Sequence, residues 1–217
     1  MDFNVELNQY LSMTFSNLEL KKPLFYNARI GIRFELGANL SDFNKRMEQI
    51  YYRTSALFRK LNENNHEIYL VVFLDSWDDE PISVNELLLL NYLKKYIDSE
   101  ELMGKVSKLK VPYRYPDLDD DCKTETYRYC LKCKVDNIDV SNLLEALANQ
   151  YVGIQPSFIG DVYVVNSTNN TIFHMYDDRG VDIISHRKET IQELYKDFND
   201  WILDYDREKI DSIFQRD

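Results

Sequence analysis

Apolar side chains recur along this chain with two periods, and the places where the period changes mark the predicted elements. Leu7, Leu11 and Leu18, with Tyr10 and Phe15, fall at helical spacing near the N-terminus. Pro23 breaks that run. ARIGIRFELG then alternates about Ile30, Ile32 and Phe34, as a strand does, and ends at Gly37. Phe43, Met47, Ile50, Thr54, Leu57, Phe58 and Leu61 return to steps of three and four, predicting the clearest helix, with Ser41 as its N-cap. Beyond the turn-forming NENNH, EIYLVVFLD is continuously apolar and predicts a strand buried on both faces. Residues 28–75 thus read as a β-α-β unit.

SWDDEPIS reads as a polar loop, and Ser83-x-x-Glu86 as a capping box ahead of the helix LLLLNYLKKYI. Residues 98–125 are poorly patterned. They hold Pro112, Pro116 and the acidic run DLDDD, and read as an irregular connection between two lobes, 1–97 and 126–217, of one 217-residue domain. TYRYCLKCKV predicts a strand, and Val140 to Ala148 a helix capped by Asp139. DVYVVNS, TIFHMYD and VDIIS predict an antiparallel meander. Ile191, Leu194, Tyr195, Phe198 and Ile202 predict a final long helix, with a short one after Asp206. The predicted class is α+β: a mixed, largely antiparallel sheet with helices on its faces, a βαβ unit near the N-terminus, and a meander plus two helices at the C-terminus.

Composition narrows the function. The chain is 44% hydrophobic and long enough to bury about 70% of its unfolded surface, so no metal or disulfide is required to hold it together. Its net charge of -11, with no basic stripe, disfavours nucleic acid and anionic membrane as partners. Such a charge keeps a protein soluble; if it also serves recognition, the partner is a basic protein. The start MDFNVELNQYL does not resemble a signal peptide, and no apolar run approaches a membrane span. Three cysteines, an odd number, fit a reducing cytoplasm.

Most chemical motifs are missing. Cys130 and Cys133 have metal-like spacing, but no second pair accompanies them, and strand residues three apart face opposite sides. DLDDD at 117–121 and DSWDDE at 75–80 lack the glycine and closing glutamate of a calcium loop. Asp75, Asp78 and Asp79 nonetheless follow a buried strand, where ligands often gather. No phosphate loop, dinucleotide fingerprint, nucleophile elbow or zinc-protease motif occurs, and six glycines leave little to build a phosphate cradle. No cofactor and no metal is expected. Sixteen tyrosines favour protein interfaces.

The remaining polar cluster is FHMYDDRGVDIIS. As a hairpin with a three-residue loop of Asp178, Arg179 and Gly180, it places Gly180 at positive φ and lets Asp177 cap the turn amides. Met175 then pairs with Ile183. His174, Tyr176 and Asp182 share the face opposite Phe173 and Met175, beside Arg179 at the tip. In this register His174 and Asp182 are diagonal neighbours, a poor geometry for an acid-base pair. Downstream, Trp201 extends the apolar face of DWILDYDRE. Asp204 or Asp206 caps the following helix, and Arg207 is placed to pair with a hairpin carboxylate.

The hairpin YDDRG-x-DI, residues 176–183, and the segment DWILDYDR, residues 200–207, resemble those of a family of uncharacterised bacterial proteins, mostly from Firmicutes. No known activity attaches to that family. The resemblance marks Asp177, Asp178, Arg179, Gly180, Trp201, Asp204, Tyr205 and Arg207 as positions of interest. Two readings of function follow. One is a non-enzymatic, acidic binding protein, an immunity or antitoxin-like module masking a basic partner, with His174, Tyr176, Asp182 and the residues just named other than Gly180 as its binding set. The other is a metal-assisted hydrolase or nuclease using Asp177, Asp178, Asp182 and His174. Carboxylates converging in a cleft with free oxygens would mark the enzyme; carboxylates engaged by turn amides and arginines would mark the binding protein.

Overall fold

The computed structural model describes residues 2–37, 40–76, 82–118 and 124–215. Asp78, Asp79, Asp119 to Asp121 and Cys122 lie outside the described residues. In chain order the helices are α1 (Phe3–Phe15), α2 (Leu24–Asn27), α3 (Phe43–Leu61), α4 (Ile82–Tyr96), α5 (Glu100–Met103), α6 (Val140–Val152), α7 (Gln192–Asp197) and α8 (Arg207–Phe214). The strands are β1 (Gly31–Glu35), β2 (Glu67–Ser76), β3 (Ser107–Val111), β4 (Glu125–Lys134), β5 (Asp161–Asn166), β6 (Thr171–Asp177) and β7 (Gly180–Ser185). They form one sheet in the order β1-β7-β6-β5-β2-β4-β3, and every described pairing is antiparallel.

Alternation sorts each strand between the two faces. On β2, Ile68, Leu70, Val72 and Leu74 enter the larger core, formed with α3, α4, α6, α7 and α8, while Tyr69, Val71 and Phe73 enter the smaller core beneath α1 and Leu24. That two-sided burial explains why EIYLVVFLD shows no period of two. The meander β5-β6-β7 forms as its sequence predicts, and the α+β class stands. No described pair is parallel, however. β1 and β2, joined by α3, run in the same direction but are separated by the whole meander, so the β-α-β unit of residues 28–75 is split rather than formed by adjacent strands.

Several local expectations need correction. Asp42, not Ser41, caps α3, because its side chain reaches the Lys45 amide. Ser83 lies inside α4 rather than before it. Leu18 falls beyond α1, which ends at Ser16 in the left-handed region. The poorly patterned stretch 98–125 contains α5 and the edge strand β3. The exposed Lys108 and Lys110 of β3 pair with Glu86 and Glu125, and such charges discourage edge-to-edge association. The long C-terminal helix does not form. α7 stops at Asp197, and the chain turns back so that Ile202 bridges Phe34 and the Leu203 amide donates to the Arg33 carbonyl at 2.9 Å. Those backbone bonds cover the open edge of β1 in place of another helical turn.

Candidate functional site

The hairpin is tighter than its sequence suggests. Phe173 pairs with Ile183, His174 with Asp182, Met175 with Val181 and Asp177 with Gly180, with a bulge between Met175 and Asp177. Only Asp178 and Arg179 form the turn, so His174 and Asp182 are direct cross-strand neighbours rather than diagonal ones. Gly180 is not among the residues with positive φ. Glycine is needed there for space: a Cβ would come within 2.0 Å of the Tyr176 hydroxyl and 2.8 Å of the Phe34 carbonyl.

Each hairpin carboxylate has a protein donor. Asp177 accepts from the Arg179 amide at 2.8 Å and from the Arg179 Nε at 2.9 Å. Asp178 is ion-paired with Arg46 of α3, whose Nε also donates to the Gly37 carbonyl. Asp182, fully buried, accepts from the Phe25 amide at 2.9 Å and from Arg33 Nε at 2.8 Å and Nη2 at 3.3 Å. The Arg33 guanidinium lies 4.8 Å from the centre of the Tyr176 ring and reaches Asp206 at 3.3 Å, which in turn accepts from the Tyr26 hydroxyl at 2.7 Å. Asp206 therefore does not cap α8 with its side chain; it ties the C-terminal segment and α2 to β1.

His174 is also fully buried, and it turns away from Asp182. Its Nε2 lies 2.9 Å from Asp161 at the start of β5, and its ring stacks on Tyr163 at 4.0 Å. Asp161 accepts as well from Arg114 Nη1 at 2.9 Å and the Tyr163 hydroxyl at 2.9 Å, with Lys22 at 3.2 Å. Burial alone would raise the Asp161 carboxyl. The bond from His174 and the neighbouring Lys22 and Arg114 outweigh it and hold the group well below the usual carboxylate range. Asp75 accepts from the Thr126 hydroxyl at 2.5 Å. Among the described residues no three His, Cys, Asp or Glu side chains converge as metal ligands do. Cys130 and Cys133 face opposite cores, and burial pushes both thiols up to about 12.

The C-terminal positions form a separate surface. Arg207 does not reach the hairpin. It donates to the Asn199 and Ile202 carbonyls and the Asn199 side chain, and pairs with Asp204 at 3.2 Å. Those bonds fix a short turn from which the Asp204 side chain stands 96% exposed and Tyr205 85% exposed. Nearby, Trp201 packs on Phe198 at 4.6 Å and meets the exposed Tyr52 of α3 edge-on at 5.8 Å, with Arg53 over its ring. His174, Tyr176 and Asp182 thus share one face, Asp177 to Arg179 form the tip, and the segment Trp201 to Arg207 is joined to Asp182 through Asp206 and Arg33.

Lys22, Arg33, Arg114, Asp161 and Asp206 complete these networks, and sequence reasoning assigned them no such role. A signal exists for one of them: Asp161 is the lone charge of an otherwise apolar strand, where a charge must find a partner.

Together these features define an α+β protein built on one antiparallel sheet, with a buried ionic seam on one face and an exposed acidic, aromatic turn at its C-terminal end. The chain belongs to the family described as domain of unknown function DUF3885, whose model matches residues 7–206. It is 31% identical over 211 residues to the uncharacterized protein YnaE of Bacillus subtilis (strain 168), covering 90% of this chain and 96% of that protein. No solved structure matches it. Among the described residues no helix is long and apolar enough to cross a membrane.

Proposed function

We propose that this protein is a cytoplasmic, non-enzymatic binding module, immunity or antitoxin-like in character, that masks a basic protein with the surface around Asp204 and Tyr205. The observation that carries this reading is the pair Asp204 and Tyr205, highly exposed on a turn that Arg207 and Asp206 anchor to the fold. A tyrosine held outward on a fixed backbone offers a large contact area at low entropic cost, and tyrosine, tryptophan and arginine dominate binding hot spots. Trp201 and Tyr52 extend the aromatic surface. Exposed Glu48 on α3 and Asp200 just beyond α7 add negative charge beside it, suited to drawing in a basic partner, whereas Asp197 is paired with Lys60. The engagement of Asp177, Asp178 and Asp182 by arginines and backbone amides supports a binding role over hydrolysis, because none of them presents a free pair of oxygens to a metal or a water.

The test compares capture from native cell extract by the wild-type chain and by the double variant Asp204→Asn, Tyr205→Ser. The expected result is a near-stoichiometric basic protein that leaves the wild type as salt rises and fails to bind the variant. Capture of no basic protein, or equal capture by both chains, would refute the surface assignment.

A further inference from the structure

Between α1, the segment from Asn17 to Leu20, and the β3–β4 end of the sheet lies a cavity of about 310 Å³. That volume is at the lower end of the range for small-molecule sites. Leu11, Leu18 and Leu20 form one wall, and Phe73 and Val111 another. Two arginines complete the lining, Arg114 and Arg128, both more than nine-tenths buried.

The two arginines differ in their neutralisation. Arg114 is paired with Asp161 at 2.9 Å and lies against the Phe73 ring, although its Nε is buried without a partner. Arg128 bonds only neutral groups of Asn4: Nε donates to the side-chain oxygen at 2.7 Å and Nη2 to the carbonyl at 3.2 Å. Among the described residues no carboxylate forms an ion pair with it; burial pulls its basicity down, and Asp2 at the start of α1 opposes this only through space. The carboxylate at the rim, Glu19, pairs with Lys21 at 2.8 Å. The cavity therefore holds one positive charge that no described carboxylate contacts directly, beside an apolar wall. A buried guanidinium without a counter-ion is costly, and its planar fork matches a carboxylate.

We infer that this cavity binds a small organic monoanion, a carboxylate whose head meets Arg128 and whose apolar body lies against Leu11, Leu18 and Phe73. The site is distinct from the C-terminal surface, and its ligand supplies the missing counter-charge. Asn8 and Ser12, exposed on α1, stand at the entrance.

Hexanoate, hexylammonium and inorganic phosphate serve as probes against the full chain, with binding read by ligand-observed NMR and by the shift in thermal midpoint. Hexanoate is expected to bind saturably, hexylammonium not at all, and phosphate at least tenfold more weakly. Arg128→Gln is expected to lower hexanoate affinity at least tenfold. Ser12→Trp, which obstructs the entrance from an exposed position, does the same with an unchanged far-UV spectrum, so the test stands even where Arg128→Gln fails to fold. Absence of saturable hexanoate binding, equal binding of hexylammonium or phosphate, or full affinity in Ser12→Trp would overturn the assignment.

Discussion

Arg33 sits between two buried carboxylates, Asp182 and Asp206, and bonds both. Replacing it with methionine keeps much of its length but leaves both acids without a counter-ion. Breaking a buried pair in this way costs about 3–5 kcal/mol, and Arg33→Met is expected to lower stability by at least that range in urea unfolding. A loss under about 1 kcal/mol would show that water already serves those carboxylates. Asp161 yields a prediction in pH. Its native carboxyl is held far below its unfolded value, so its contribution is complete above about pH 4 and fades as pH falls below that. Asp161→Asn should therefore lose stability less steeply than wild type between about pH 4 and pH 2; parallel profiles would mean that its partners do not favour the ionised form. At this scale the sequence singles out Asp182 and His174 but not what they touch. Arg33 lies 149 residues from Asp182, and no local spacing announces such a partner.

The hairpin shows how an element can be legible while its register is not. Its strands and its polar tip follow from alternation and turn chemistry. The one-residue difference in loop length, with the bulge near Tyr176, changes every cross-strand pair, because register follows the turn. Gly180→Ala tests the close approach directly. The added methyl meets the Tyr176 hydroxyl and the Phe34 carbonyl, and the carbonyl belongs to a paired strand that cannot move cheaply. A loss of about 1–3 kcal/mol is expected, and Tyr176→Phe, which removes the nearer clash, should recover part of it. β4 supplies another test, since it carries Cys130 into one core and Cys133 into the other. With both thiols pushed up to about 12, a Cys122→Ser variant should show no native reaction with a disulfide reagent at about pH 8. Two thiols should appear on unfolding, and rapid labelling of the native protein would contradict the burial of that strand. β3 escaped sequence reading because an edge strand carrying Lys108 and Lys110 buries too little to show a clean pattern.

Strand order was the least legible feature, because it is set by pairings between residues far apart in the chain. Residues 1–97 contribute β1 and β2, which do not touch; β5, β6 and β7 from the C-terminal part lie between them, and β4 closes the other side of β2. A fragment of residues 1–97 would leave β2, apolar on both faces, without either neighbour. A fragment of residues 126–217 would lose the strand that joins β5 to β4. Neither can close a core, so neither is expected to show native-like CD or cooperative unfolding alone. For the intact protein, tryptophan fluorescence and far-UV CD should trace one coincident urea transition. Two separated transitions, or a fragment that folds by itself, would show that the two parts hold their own cores and that the shared sheet is secondary to them.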